Sequence, residues 1–458
     1  MCRANLHDWY GQKHNEPIYA ERAKTLRIDL RLQKIRGEID DTRIYVDPNR
    51  FLEWLQDSLF GELSSVLRTQ RISVIDITFT DTKPDLVSQQ KPANRMANLI
   101  SKAFLEFYDN TKFGISSYLG RRIRHGTLKG TMVTPVRSLI ESERFVALTD
   151  NPDCGKLLRK WLTTYELGVD ELSREYLQIR GNRNSKALFD TDIFRPDRAR
   201  VLKAAIGDID ATYTETESFT HINAKIYSYC WRFAESDLRQ VRDFLRNCRS
   251  DWGKIDAAQL RRSLPNEWWP ELNSLAKELN TLLDDRFRTI TSWFNEPKNL
   301  SPSAPLGLLF QAVMSEVKES FSNFKPNILA DDLDTVLTGG TYHLIYDALY
   351  VVVHNAAKHG RLNGDLACKF TISDSTSGAK ELLINISSET GVGVSDEDVR
   401  KKMNDAMLGS YDDALAEEGR SGFKKLLRMK KDTAEMSQFS AECRNGKVNV
   451  LLAFRLQY

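Results

Sequence analysis

For most of its first 300 residues the chain repeats apolar side chains every three or four positions, a spacing that only an α-helix gathers onto one face. Phe51, Trp54, Leu55, Leu59, Leu63 and Val66 put such a stripe on 51–68. Helical tracts over 94–120, 154–180, 199–215 and 219–248 follow, with exposed loop expected over 181–185 and on to Pro196. Residues 71–80, short and rich in β-branched side chains, read as the one strand of this half.

Beyond Pro265 the apolar positions Leu272, Leu275, Leu279, Leu283, Phe287, Ile290 and Phe294 predict a long amphipathic helix. It stops at Asn295-Glu296-Pro297. The proline-rich stretch 301–305 then leads into a second stripe of Leu306, Leu309, Phe310, Val313, Val317 and Phe321. Two such helices joined by a short turn are expected to fold back on each other as an antiparallel hairpin over 266–325. Spacing alone leaves two readings open, a plain hairpin of an α-domain or a dimerisation stalk.

From Pro326 the texture changes to alternating helix and strand. A helix over 342–359 precedes strand-like segments at 366–372 and 381–387, joined by a turn around 376–378. Charged helices cover 396–408 and 421–431, and 437–443 with 448–457 form a hairpin around Asn445-Gly446, a strong short-range turn signal. The expected class is therefore α+β. Its parts are a mixed region 1–100 with one strand, a helical region 101–265, the hairpin 266–325 and an α/β layer 326–458.

Composition narrows the function classes. With 65 Lys+Arg against 63 Asp+Glu, a net charge of +2 argues against a protein that coats nucleic acid. The cluster Arg121, Arg122, Arg124 and Lys129 is the one place where phosphate or nucleic acid finds local support. Six scattered cysteines form no CxxC or CxxxC pair, which fits free thiols in a reducing cytoplasm rather than a zinc site. The first thirty residues carry no apolar signal region, and no stretch approaches the ~18 apolar residues of a membrane span. The expected location is the cytoplasm. P-loop, HExxH and GxSxG patterns are missing from the sequence.

Three short motifs carry the chemistry, and their order carries more weight than any one of them. The stretch 349–360 (LYVVVHNAAKHG) presents Asn355 with Lys358 and His359 one turn later on a helix. A carboxamide oxygen is a hard ligand suited to Mg²⁺, and a cation one turn on can face the same polyphosphate. The stretch 389–398 (ETGVGVSDED) follows, with Glu389 at a strand end and Gly391 and Gly393 allowing a close backbone approach. The stretch 419–426 (GRSGFKKL) places Gly419, Ser421 and Gly422 ahead of a helix carrying Lys424.

Together with the terminal hairpin, these segments resemble the N-box, G1 box and G2 box of the GHKL superfamily, the Bergerat-fold ATP-binding domain of gyrase, heat-shock chaperones, mismatch-repair ATPases and histidine kinases. The resemblance covers about 326–458. It implies ATP and Mg²⁺ as ligands, with Asn355 on the metal, Lys358 and His359 toward phosphate, Glu389 on the adenine amino group, and Gly419, Ser421, Gly422 and Lys424 at the phosphate loop. Glu389 stands where the family has Asp, and Ser421 where glycine is common. Val351 replaces the glutamate that activates water in hydrolysing members, and valine can neither take a proton nor bind metal.

The hairpin position that carries a phosphoacceptor in histidine kinases has no histidine, because none occurs between His221 and His343. His125 lies in basic surroundings without the acidic neighbour of such a site. The reading that follows is an ATP-binding signalling or regulatory protein in which a histidine-kinase-like domain couples Mg·ATP to a helical sensor or partner region, in bacterial stress or phage defence. Protein partners, or a homodimer through 266–325, are expected. The alternatives are an atypical histidine kinase acting on itself or a partner, and a non-enzymatic scaffold with a degenerate GHKL fold.

Overall fold

The computed structural model describes residues 2–14, 16–41, 43–69, 92–124, 127–181, 184–252, 257–262, 264–297, 303–330, 335–374, 380–408 and 422–456. The expected strand at 71–80, the turn at 376–378 and His125 lie outside these. The chain divides into two compact units, one made of 1–41 with 301–458 and the other of 42–300.

The 42–300 unit is helical. Its 34-residue helix Phe219–Trp252 buries Ile222, Ile226, Cys230, Phe233, Asp237, Val241, Leu245 and Cys248, which step by three or four. The expected helix over 51–68 is two, Pro48–Ser58 and Phe60–Thr69, with Asp47 capping the first by accepting from the backbone N–H of Asn49 and Arg50. The other predicted tracts appear as Pro92–Asp109, Pro152–Glu171 and Ala199–Thr216.

Asp237 occupies a place in an apolar stripe and has no exposed surface. A buried carboxylate needs its solvation replaced, and four groups replace it. Tyr108 Oη donates to Oδ2 at 2.9 Å and the Asp190 backbone N–H donates at 2.8 Å. Arg198 Nη2 stands 2.7 Å from Oδ2, and Arg195 Nη1 donates to Oδ1 at 3.0 Å. Arg198, itself buried, also donates to the carbonyls of Asp190 and Asp192 and lies over the Phe104 ring. The irregular stretch leading to Pro196 is thereby tied to two helices.

The expected hairpin over 266–325 is divided between the units. Leu272, Leu275, Leu279, Leu283, Phe287 and Ile290 of the helix Trp269–Ser292 belong to the core of 42–300. The helix Leu306–Ser320 buries its stripe in the other core. Each apolar face finds its cover within its own unit, so the periodicity was sound while the partner inferred from sequence proximity was not.

In the other unit, Cys2–His14 packs along Pro17–Asp41, and the latter places Ile35 and Ile39 in one core with Leu309 and Val313. Arg36 Nη2 pairs with Glu319 Oε1 at 2.6 Å. The first 41 residues are thus built into the α/β layer rather than into an N-terminal domain.

A two-stranded antiparallel ladder of three residue pairs joins β1 (Ser303–Pro305) to β3 (Val336–Thr338). The main sheet holds β2 (Asn327–Ala330), β4 (Asp365–Asp374), β5 (Lys380–Glu389), β6 (Met436–Arg444) and β7 (Lys447–Leu456) in the order β2-β4-β5-β7-β6. β2 runs parallel to β4 and every other pair is antiparallel. Asn445 and Gly446 both take positive φ, 55° and 69°, as a two-residue hairpin turn requires. Leu366, Cys368, Phe370, Leu382, Ile384, Ile386, Val450, Leu452 and Phe454 alternate onto one face. The helices Leu306–Ser320, Gly339–His359 and Gly422–Asp432 cover that face in a two-layer α/β sandwich, as the α+β class predicts.

His354 belongs to this packing. Its ring lies 5.1 Å from Phe321 and 5.7 Å from Tyr350. Burial, helped by Lys425, Lys358 and His359, lowers its pKa to about 4, so the imidazole is neutral near pH 7.

Two outcomes follow. Asp237→Ala removes the buried acceptor shared by Tyr108, Arg195 and Arg198 and is expected to lower stability by about 3–5 kcal/mol, read from urea unfolding; a change below about 1 kcal/mol would mean that the carboxylate does not hold its surroundings together. For His354, the unfolded state binds the proton more readily than the folded one between about pH 4 and 6.5, so stability is full above that window and falls on acidification through it. His354→Gln should flatten the dependence of Tm on pH between 7 and 5; an unchanged slope would contradict this origin.

Candidate nucleotide site

Asn355 lies near the end of the helix Gly339–His359, one turn after Val351. It is half-buried, and its carboxamide forms no hydrogen bond among the described residues. The helix Gly422–Asp432 begins directly against it. A Cβ on Gly422 would lie 2.5 Å from Asn355 Nδ2 and 2.8 Å from Oδ1, so a side chain there would displace the carboxamide from its present position. Two of the three motifs therefore meet in space, with the first turn of one helix facing the carboxamide of another. Gly419 and Ser421 lie outside the described residues.

The third motif is joined to the first by backbone. The end of the Asn355 helix bridges to the end of β5 through Gly360 and Thr390. A Cβ on Gly360 would meet the Ala356 carbonyl at 2.5 Å and the Glu389 carbonyl at 2.9 Å. The Arg361 N–H donates to the Glu389 carbonyl at 3.0 Å. A Cβ on Gly391 would stand 3.4 Å from the His359 carbonyl. Gly393 takes φ +78°, which glycine adopts without strain. Val392 between these glycines is 87% exposed. Ser395 donates to the Asp398 carboxylate at 2.7 Å and accepts from its N–H at 3.1 Å, a reciprocal cap that starts the helix Asp396–Leu408.

The electrostatics of this corner are positive. Lys358 and His359 are exposed and Lys424 is half-buried. Among the described residues neither Lys358 nor Lys424 has a carboxylate partner. Although its residue surface is exposed, partial desolvation of the His359 ring lowers its pKa, with Lys358 and Lys402 adding to the effect, so the ring is a neutral donor or acceptor near pH 7. Lys402, on the helix Asp396–Leu408, was not singled out from sequence, because its approach to His359 depends on the fold. A helix N-terminus, an unbonded carboxamide and cations without acid partners are the donor set that a metal-bound polyphosphate uses. The described residues contain no cluster of three or more His, Cys, Asp or Glu that could hold a metal on its own. Mg²⁺ commonly takes one or two protein oxygens and completes its shell with phosphate and water, so Asn355 fits that role.

Glu389 is half-buried at the end of β5. Its Oε2 pairs with Arg361 Nη1 at 3.3 Å and packs over Gly364, whose Cβ would stand 2.7 Å from the same oxygen. Asp347, two turns before Asn355, is buried in the helix layer, so it does not stand at the surface where Val351 has replaced an acid.

The family model Y4jQ matches residues 53–294. The chain is 34% identical over 430 residues to the Detocs histidine-protein kinase DtcA of Vibrio alginolyticus, covering 94% of this chain and 43% of that protein. It is 19% identical over 410 residues to the uncharacterized protein y4jQ of Sinorhizobium fredii (strain NBRC 101917 / NGR234), covering 83% of this chain and 37% of the relative. The chain thus spans less than half the length of either.

Among solved structures, the histidine kinase AdeS of Acinetobacter baumannii matches 48% of this chain and 96% of its own at 13% identity and a TM-score of 0.24. The catalytic domain of histidine kinase ThkA matches 34% and 97% at 15% and 0.25. Scores this low add no weight. The α+β class expected of the chain stands on its own topology, a mixed five-stranded sheet with helices over one face. The Y4jQ match spans more than half of the 458 residues, and the chain belongs to the Y4jQ family.

Proposed function

We propose that this chain is the nucleotide-responsive portion of a histidine-kinase-like signalling protein of antiviral defence. In this reading 326–458 binds Mg·ATP and couples it to a helical sensor or partner-binding region. The observation that carries it is the contact between the unbonded Asn355 carboxamide and the start of the Gly422 helix, beside cations without acid partners. The relation to DtcA supports the kinase-like and defence setting. Asn355 holds the metal, Lys358, His359 and Lys424 face the phosphates, Gly419, Ser421 and Gly422 form the phosphate loop, and Gly391 and Gly393 let the backbone approach the base beside Glu389. Bound Mg²⁺ would neutralise phosphate charge; the residues themselves orient and shield the polyphosphate.

Val351 gives water no base, so slow turnover or a binding switch fits better than rapid hydrolysis. Similarity to a histidine kinase favours a second reading, phosphoryl transfer to a histidine of the chain or of a partner. A neutral imidazole attacks without a base, which makes Val351 no obstacle there. The helical 42–300 unit is the place for partner docking in both. No described helix is long and apolar enough to cross a membrane.

Calorimetric titration of the full chain with Mg·ATP should show saturable binding that Asn355→Ala loses while circular dichroism stays unchanged. No binding by the parent chain, or equal binding by the variant, would sink the proposal. Gly422→Ala adds a methyl within 3 Å of the carboxamide and should weaken binding about tenfold or more, whereas a helix start distant from the nucleotide would leave affinity untouched.

A further inference from the structure

Arg361 belongs to none of the motifs that carry the resemblance. It lies between Gly360, where a Cβ would press on the carbonyl at the end of β5, and Gly364, where a Cβ would displace the Glu389 side chain. Its backbone N–H is fixed to the Glu389 carbonyl and its guanidinium to Glu389 Oε2. Gly364 admits that oxygen because a Cβ there would lie 2.7 Å from Oε2 and 3.1 Å from the Glu389 Cβ. The carboxylate is therefore held from two sides through one oxygen. Its other oxygen, Oε1, accepts no hydrogen bond among the described residues.

The geometry points to Arg361 as a positioning residue for base selection, which fixes Glu389 so that Oε1 alone is offered to the nucleobase. This rests on the proposed reading that Glu389 faces the base. The longer glutamate side chain has one more rotatable bond than aspartate, so it needs an external restraint to present a fixed acceptor. Arg361 and the space over Gly364 supply that restraint. A carboxylate oxygen only accepts hydrogen bonds. It favours a purine with an amino group at C6 and repels one with a carbonyl oxygen there. The ligand class is thus a 6-amino purine nucleotide, and selectivity against 6-oxo purines depends on Arg361 without any contact between Arg361 and the base.

The test is equilibrium titration of the full chain with Mg·ATP and Mg·ITP, which differ at C6. The parent chain should prefer ATP by about tenfold or more, the scale of a hydrogen bond to a charged group. Arg361→Ala and Gly364→Ala should each remove most of that preference, the second without changing any charge. Arg361→Lys should restore part of it. Glu389→Gln, whose amide can donate, should shift the preference toward ITP. In the Glu389→Ala background, Arg361→Ala should have no further effect on the ratio. An ATP to ITP ratio equal in the parent and in both alanine variants would overturn the inference while leaving nucleotide binding in place. Failure of the parent to bind either nucleotide would overturn the underlying reading as well.

Discussion

Asp237 places a charge in the middle of the longest apolar stripe of the molecule, and the helical unit is organised around neutralising it. Two arginines, a tyrosine hydroxyl and a backbone N–H converge on its two oxygens. The donors come from Pro92–Asp109 and from the residues between Asp190 and Arg198, so the buried carboxylate ties that stretch to two helices. An apolar residue at 237 would leave Arg198 with the Asp190 and Asp192 carbonyls and Arg195 with Asp197, and would remove the one acceptor that the two arginines share with Tyr108. A buried ion network is weak evidence of net stability and better evidence of a specified arrangement.

The corner where the three motifs meet uses the opposite device. There the side chains are withdrawn: Gly360, Gly364, Gly391 and Gly422 each stand where a Cβ would meet backbone or a polar side chain at 3.4 Å or less. Close approach of backbone brings three segments, separated by some thirty residues each in sequence, to one corner. Polar groups left unbonded there, such as the Asn355 carboxamide, are available because the glycines, and not side-chain bonds, hold the segments in place.

Much of this was legible in the sequence for a physical reason. Asn355, Gly391 and Gly422 are residue types whose chemistry is local, a hard oxygen ligand and backbones that must lack a Cβ, so their type and order survive as a pattern. The Asn445-Gly446 turn is legible in the same way, since two successive positive φ values select those residues. Arg361 and Lys402 were invisible because an exposed basic residue looks the same whether it faces solvent or a functional neighbour. Asp237 was hidden for a related reason: periodicity finds the stripe, and a charge within it reads as an interruption. The hairpin over 266–325 misled because two amphipathic helices in succession do not state which surface each will cover. Residues 17–41 carried no signal that their partners are some 270 positions away.

That separation sets a schedule. The helix Pro17–Asp41 leaves the ribosome before the 42–300 unit, and Leu309 and Val313, which share its core, come after the whole of that unit. At about 5–20 residues per second, Ile35 and Ile39 wait roughly 13–55 s for the surface that covers them. The helical unit can complete its own core during that interval. The α/β layer cannot close until the residues beyond 301 have been made, so it is the unit whose early segment has to be kept from other partners in the meantime.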